Sequence, residues 1–191
     1  MERLAGVVFL MILTVTMVQG APEDYNECRN FVEKGLPDCC KRPEEGKKAS
    51  AETVAIKKKC DQAVMGNRQM PAKSEDRMSI YECLDECYYN ATKQFLDDLK
   101  PNEDAMIEAF LEGLESYPQW KETVVKSVKN CVKSDYVSRL RKGAKCKSGV
   151  LELETCLGKQ MYLNCPEDAW QSNRLECSNA KEIYVKCTPD I

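Results

Sequence analysis

The sequence predicts an all-α fold, a disulfide-knitted bundle of about seven or eight helices. Apolar residues recur at three- and four-residue steps through most of the chain, which is the period of an amphipathic helix. No stretch alternates apolar and polar residues with the β-branched enrichment of a strand. The 12 cysteines are an even number, and all of them follow an N-terminal apolar run, which is typical of a disulfide framework in an oxidising compartment.

The N-terminal residues predict a secretory signal. An apolar run from Leu4 to Val18 follows Arg3, and small residues stand three and one positions before a processing point that follows Gly20. The run is short for a membrane span, and no second apolar stretch of that length follows. We therefore expect residues 1–20 to be a signal peptide, residues 21–191 to form a single domain without a membrane span, and the protein to be secreted and extracellular.

The first part of this domain carries weaker helical signals. Helical periodicity covers roughly 24–34 and 49–65. The stretch 35–48 between them, rich in charge, proline and glycine, is expected to be a loop.

The clearest helix follows Ser74, an N-cap residue with two acidic residues directly behind it. Glu82, Glu86 and Lys93 are expected on its solvated side, and Pro101 is expected to stop it. Its apolar stripe comprises Ile80, Cys83, Leu84, Cys87, Tyr88, Ala91, Phe95 and Leu99.

Three more helices are predicted by their N-terminal signals. Asn102 caps the first, Pro118 stands where the second begins, and Ser148 opens the third. Weaker periodicity at roughly 167–171 and 179–187 predicts two short helices near the C-terminus. The apolar stripes of the three stronger helices comprise Met106, Ala109, Phe110 and Leu114; Trp120, Val124, Val128, Cys131 and Val132; and Leu153, Cys156, Leu157 and Met161.

Two cysteine spacings stand out. Cys83 and Cys87 are four residues apart on the clearest helix, so both thiols project from one face and can join that helix to two different neighbours. Cys156 and Cys165 are separated by eight residues, and Pro166 follows directly.

In this order, and with a further cysteine between them, the two spacings resemble those of the insect odorant-binding proteins, in particular the Plus-C group. The resemblance covers essentially the whole mature chain and implies a single helical ligand-binding domain, a bundle around an internal apolar cavity. The six cysteines shared by that family map onto Cys60, Cys83, Cys87, Cys131, Cys156 and Cys165. The additional cysteines and the proline of the Plus-C group correspond to Cys28, Cys39, Cys40, Cys146, Cys177, Cys187 and Pro166.

For the disulfides, the resemblance implies an interlocked pairing of first with third, second with fifth and fourth with sixth. Cys146 is the alternative for the fifth position by its distance from the fourth, but it lacks the eight-residue step to the sixth. The six additional cysteines would form three further bridges, whose pairing the sequence leaves open, except that adjacent Cys39 and Cys40 are not expected to pair. The pairs that the resemblance implies are therefore Cys60–Cys87, Cys83–Cys156 and Cys131–Cys165.

The function that the resemblance implies is that of a carrier for small hydrophobic molecules, odorants or related semiochemicals, which it solubilises and delivers to chemosensory receptors. A void of about 300 Å³ costs roughly 7 kcal/mol, and disulfides at about 2–4 kcal/mol each can offset that cost. Tyr88 or Tyr117 could orient a polar ligand end. For each candidate ligand contact in this set, the default interpretation is an ordinary core residue, because a helical apolar stripe usually packs in the core. The candidate ligand contacts are Met78, Leu84, Tyr88, Met106, Phe110, Leu114, Tyr117, Trp120, Val124, Val128, Leu157 and Met161.

The absence of histidine restricts the chemistry. The chain has none, which closes Ser-His-Asp and Cys-His catalytic sites, and no two cysteines have the Cys-x-x-Cys spacing of a zinc site. We therefore expect no enzymatic activity, no cofactor and no metal. Because carboxylates ordinarily titrate near pH 4, we also expect ligand affinity to change little between about pH 7 and pH 6.

A rival interpretation is a secreted protein-binding module or inhibitor without a cavity. The net charge of −3 does not point to nucleic acid, and the sequence leaves open whether the protein is a monomer or a homodimer. Asn90 begins a glycosylation sequon whose use is uncertain on a helix. The rival interpretation would use a basic cluster of Arg139, Arg141, Lys142, Lys145 and Lys147 to bind an acidic partner.

Overall fold

The computed structural model describes Cys28 and residues 35–43 and 50–188. The predicted signal peptide, residues 1–20, lies outside the described residues, as does the weak helix at 24–34 apart from Cys28. Within the described part of the chain, no helix is both long and apolar enough to cross a membrane. The α-helices are α1 (Ala51–Met65), α2 (Ser74–Ala91), α3 (Glu103–Leu111), α4 (Trp120–Val132), α5 (Val150–Leu163) and α6 (Ala180–Cys187).

The all-α class is confirmed. Within 35–43 and 50–188, short 3₁₀ turns at Val137–Arg139 and Leu175–Cys177 complete the regular structure, and the β pairing consists of two isolated bridges. The described ranges hold six α-helices, fewer than the predicted seven or eight. One reason is that the stretch at 167–171 forms turns rather than a helix, with the amides of Ala169 and Trp170 both donating to the Pro166 carbonyl at 3.0 Å.

The core lies between α3, α4 and α5. Helix α4 packs against both α3 and α5, α2 packs against α1 and α5, and the central side chains are fully buried. Helices α4 and α5 run antiparallel, since the Thr123 hydroxyl near the start of α4 donates to the Asn164 carbonyl just after α5, at 2.8 Å. The largest fully buried side chains of this core are Met106, Val128, Val150 and Leu153.

The buried face of α2 differs from the predicted stripe. Glu82, predicted to be solvated, is 4% exposed, and its carboxylate accepts two hydrogen bonds from the Arg141 guanidinium at 3.0 and 3.1 Å. Arg141 also donates to the Ser79 hydroxyl, and Glu86 accepts from the Ser148 amide at 2.8 Å. The hydropathy pattern predicts that these carboxylates are exposed to solvent. In the structure, the loop before α5 supplies the hydrogen-bond donors that allow their burial.

Helix α2 ends ten residues before the predicted stop at Pro101. Lys93 adopts a left-handed φ of 61°, and the amides of Gln94 and Phe95 both donate to the Tyr89 carbonyl. This turn carries Phe95 into the core, where it is 2% exposed, so the apolar period that suggested a longer helix continues through a turn. As predicted, Asn102 caps the next helix by accepting from the Ala105 amide at 3.3 Å.

The disulfides correct the predicted pairing. Cys60–Cys87 is present as predicted, and Cys39 and Cys40 have different partners. The predicted Cys83–Cys156 and Cys131–Cys165 pairs are wrong. The interlocked rule itself holds once Cys146 takes the fifth position and Cys156 the sixth. The bridges are Cys28–Cys187, Cys39–Cys177, Cys40–Cys165, Cys60–Cys87, Cys83–Cys146 and Cys131–Cys156.

Helix register explains the correction. Cys131 is in the last turn of α4, and in the antiparallel pair that position lies opposite Cys156 in the middle of α5. Cys165 follows the end of α5 and shares a buried cluster with Trp120, the first residue of α4. Trp120 and Cys131 are separated by most of the length of α4, about 16 Å at 1.5 Å per residue, which is too far for Cys165 to reach Cys131.

Candidate ligand-binding site

A cleft of about 690 Å³ lies between α1, α2, α3 and α5. We call it the charged cleft. It opens to solvent and carries ionisable groups, and so differs from the internal apolar cavity that the sequence predicts. Its lining comprises Lys57, Cys60, Asp61, Leu84, Asp85, Tyr88, Tyr89, Gln94, Ala109, Phe110 and Glu154.

The lining is layered by depth. Cys60, Tyr89 and Gln94 are buried and form the floor, whereas Lys57 and Asp61 are exposed at the mouth. The remaining residues of α2 and α5 are half-buried between these levels. A ligand entering the cleft therefore meets charged side chains first and buried aromatic and amide groups last.

Local sequence positions these groups. The Cys60–Cys87 bridge, with 5.7 Å between Cα atoms, fixes α1 against α2 and brings Cys60 to the floor. Leu84 and Tyr88 are one helical turn apart on α2, and Asp85 and Tyr89 repeat that step one residue later, so all four share a face. Helix α3 contributes the apolar wall, and α5 contributes a single carboxylate.

Electrostatics in the cleft centre on Glu154 of α5. Burial and the nearby Asp85 carboxylate raise the pKa of Glu154 to about 7, although the hydrogen bond from the Tyr89 hydroxyl acts in the opposite direction. Burial also raises the pKa of Asp85, an effect that the Lys57 ammonium partly offsets. Burial, followed by the Glu154 charge, raises the pKa of the Tyr89 hydroxyl, so Tyr89 remains a hydrogen-bond donor.

The charges in the lining do not balance. Among the residues that the structure describes in this lining, the carboxylates of Asp61, Asp85 and Glu154 face one ammonium, that of Lys57. The Lys57 ammonium lies 5.7 Å from the centre of the Tyr88 ring, within range of a cation–π interaction. With all groups ionised, the described lining of the cleft is therefore negative even with its own lysine in place.

The structure separates the predicted ligand contacts into groups. Leu84, Tyr88 and Phe110 line the charged cleft. Leu114 and Tyr117 pack around Trp120, and Met78 is 41% exposed on the surface of α2. The central residues of the predicted set, which lie in the close-packed core, are Met106, Val124, Val128 and Leu157.

Sequence reasoning missed the polar half of the cleft. Asp85 and Tyr89 directly follow two predicted contacts on α2, and Glu154 directly follows Leu153, so position on the helix was an available signal. The hydropathy pattern did not mark these residues as buried, and only the packing of α2 against α5 brings them together.

A second cavity of about 410 Å³, which we call the C-terminal pocket, lies further along α5. The Tyr162 hydroxyl donates to the Pro37 carbonyl at 3.1 Å, and the Tyr162 and Tyr184 rings meet edge to face at 5.4 Å. A Cβ added to Gly158 would meet no atom within 4 Å, so the pocket is open above that position. Its lining comprises Leu36, Pro37, Asp38, Cys40, Arg42, Trp120, Thr155, Gly158, Met161, Tyr162 and Tyr184.

Comparison with known proteins adds a family. The family model described as AgamOBP47-like, an insect odorant-binding protein family, matches residues 51–183, which is more than half of the chain. The match includes all six cysteines of the interlocked bridges. No curated protein and no solved structure matches the chain.

Proposed function

The chain belongs to the AgamOBP47-like family of insect odorant-binding proteins, and we propose that it is a secreted carrier that binds small hydrophobic molecules and delivers them to chemosensory receptors. Proteins of this family bind ligands rather than catalyse reactions. The observation that carries the proposal is the charged cleft, which combines an apolar wall with a few polar groups. Its volume of about 690 Å³ falls in the range of small-molecule sites.

The shape of the cleft suits a molecule with one apolar end and one polar end. Leu84, Tyr88 and Phe110 provide the apolar surface, and burying a chain of several methylene groups there would contribute about 0.8 kcal/mol per group. The buried Gln94 amide and the carboxylates provide polar partners at the floor and wall. An entirely apolar ligand would leave these groups without water.

The disulfides support a site that stays open without ligand. Cys60–Cys87 joins the two helices that form one side of the cleft, and Cys83–Cys146 joins α2 to the loop before α5. With six bridges in the domain, the stability lost to an unfilled cleft can be offset. The same bridges support secretion, because they require an oxidising compartment.

The rival interpretation, a protein-binding module that uses the basic cluster, receives less support. Arg141, one of its five basic residues, is engaged by Glu82 and Ser79 inside the molecule. That arginine stabilises the loop before α5 and is not available to a partner.

A fluorescence titration with N-phenyl-1-naphthylamine, an apolar fluorophore that is uncharged at neutral pH, tests the proposed function. We expect saturable binding at one site, and Ala109→Trp, which places a large ring in the charged cleft, should weaken it at least tenfold. Gly158→Phe is the matched control, since it fills the C-terminal pocket with a similar ring. Failure of the wild-type protein to bind any apolar probe would overturn the carrier proposal, and equal affinity in Ala109→Trp and wild type would remove the charged cleft as the site.

A further inference from the structure

The chemical class of the ligand can be inferred from the same cleft, and this inference rests on the proposed carrier function. We infer that the charged cleft binds amphipathic amines in their ammonium form, with the apolar chain along Leu84 and Phe110 and the ammonium between Asp85, Glu154 and the Tyr88 ring. The lining of the cleft carries the inference through its charge, its aromatic surface and its hydrogen-bonding groups.

Charge is the first step. Two of the three described carboxylates, Asp85 and Glu154, are half-buried, while Lys57, the one cation in the part of the lining that the structure describes, is exposed at the mouth. A ligand that covers the cleft removes water from these carboxylates. A neutral ligand therefore increases their desolvation cost, an anionic ligand adds repulsion, and an ammonium ligand offsets both effects.

Aromatic surface is the second step. The Tyr88 ring already has an ammonium within cation–π range, that of Lys57 at 5.7 Å. Tyr89 packs edge to face beside Tyr88, with 6.3 Å between ring centres. Since the Lys57 side chain is long and exposed, a ligand ammonium can take its place over the ring while Lys57 moves into water.

Hydrogen bonding is the third step. The Tyr89 hydroxyl donates to Glu154 and thereby holds its carboxylate in the cleft. An ionised carboxylate has about four acceptor positions, so this bond leaves room for the donors of an ammonium group. A ligand alcohol offers one donor, and a ligand carboxylate offers none.

Binding of a cation should be linked to release of a proton. Burial raises the pKa of Glu154 to about 7, so this group is partly protonated at neutral pH, and an ammonium ligand favours its ionised form. The titratable groups that line the cleft are Lys57 and Asp61 from α1, Asp85, Tyr88 and Tyr89 from α2, and Glu154 from α5, while α3 contributes Ala109 and Phe110. Affinity for amines should therefore rise between about pH 6 and pH 8, where alkylamines stay charged. It differs from the small change between about pH 7 and pH 6 that the ordinary carboxylate pKa predicts.

Isothermal titration calorimetry with octylamine, 1-octanol and octanoic acid tests the inference, because the three ligands share one chain length. We expect octylamine to bind about tenfold more tightly than octanol at neutral pH, and octanoic acid to bind most weakly. Titrations in two buffers of different ionisation enthalpy should show proton release on binding of octylamine and none on binding of octanol.

Variants assign the effect to the cleft. Glu154→Gln should abolish the proton release and weaken octylamine binding several-fold while leaving octanol unchanged, and Asp85→Asn should weaken octylamine in the same direction. Glu108→Gln, an exposed carboxylate of α3 outside the lining, is the matched control and should behave as wild type.

The outcomes separate this inference from the proposed function. Octanol binding as tightly as octylamine, with Ala109→Trp removing both, overturns the amine inference and leaves the carrier function standing. Octylamine binding that survives both carboxylate substitutions with its proton release intact also overturns it. Absence of binding by all three ligands overturns the function proposed for the cleft as well.

Discussion

The charged cleft and the C-terminal pocket are built in different ways along the same helix, α5. One side of the cleft is held by Cys60–Cys87, whose cysteines are 27 residues apart. The C-terminal pocket depends on Cys39–Cys177 and Cys40–Cys165, which span 138 and 125 residues. The first site thus belongs to neighbouring helices of the bundle. The second forms only when the segment at 35–43 is tied to the end of the chain.

The two sites also differ in charge. The described lining of the cleft has an excess of carboxylates around Glu154, whereas that of the C-terminal pocket balances one acid, Asp38, with one base, Arg42, among aromatic and sulfur-containing side chains. A balanced apolar pocket can select ligands by shape alone. An unbalanced cleft can also select ligands by charge. The free energy of unfolding of the protein must then depend on pH, because the carboxylates of the cleft titrate.

The largest expected effect comes from removing the bridge beside each site. Replacing Cys60 and Cys87 with serine should lower the free energy of unfolding by about 3.5 kcal/mol, the value for a loop of this length, and should weaken octylamine binding because α1 is no longer fixed against α2. Replacing Cys40 and Cys165 should cost about 2–3 kcal/mol, since Cys39–Cys177 still holds the same segments, and should leave octylamine affinity unchanged. Chemical denaturation and calorimetry on the two double variants measure both quantities; equal loss of octylamine binding would erase the distinction between the sites.

The next effect is on stability as a function of pH. A carboxyl group whose pKa is raised on folding stabilises the fold fully below its unfolded value of 4.5, and this contribution is lost as pH rises through about 7. Glu154→Gln should therefore raise the free energy of unfolding by about 2–3 kcal/mol at about pH 8 and change it little at about pH 4. Thr155→Val, in the C-terminal pocket, should shift stability equally at both pH values. A pH-independent effect of Glu154→Gln in denaturant titrations would show that burial does not raise the pKa of the Glu154 carboxyl group.

The smallest expected effect concerns the lysine at the mouth of the cleft. Lys57→Gln removes the protein's own ammonium, which competes with the ligand ammonium for the Tyr88 ring. Octylamine affinity should therefore increase about threefold, within the range of an exposed cation–π contact. Lys181→Gln is the matched control, because Lys181 lies 4.4 Å from the Trp170 ring near the C-terminal pocket. Weaker octylamine binding in Lys57→Gln would mean that the lysine helps to hold the ligand rather than competes with it.

Much of the fold could be predicted because local signals determine it. The period of apolar residues located the helices, and Asn102 marked the start of α3 correctly. The buried face of α2 could not be predicted, since it depends on Arg141, which is distant in sequence and donates hydrogen bonds to Glu82. The end of α2 could not be predicted either, because the apolar period continues through the turn at Lys93. The bridges from Cys131 and Cys83 were mispredicted for the same reason, because the register of α4 against α5 is a tertiary property.

The candidate site was only partly predictable. Leu84, Tyr88 and Phe110 carry the apolar signal that directed attention to them, and they line the cleft. Glu154 and Asp85 have charged side chains, and a hydropathy pattern predicts that such residues are exposed to solvent. Their raised pKa values arise from burial between packed helices, which no single-sequence pattern contains.

The most direct measurement is the titration of the Glu154 side-chain carboxyl carbon by nuclear magnetic resonance, with and without ligand. In the free protein we expect its pKa at about 7. Saturating octylamine should lower that pKa, because the bound ammonium favours the carboxylate, while octanol should leave it unchanged or raise it. A Glu154 titration that does not respond to bound octylamine would place the ammonium elsewhere and contradict the role of the cleft as an amine site.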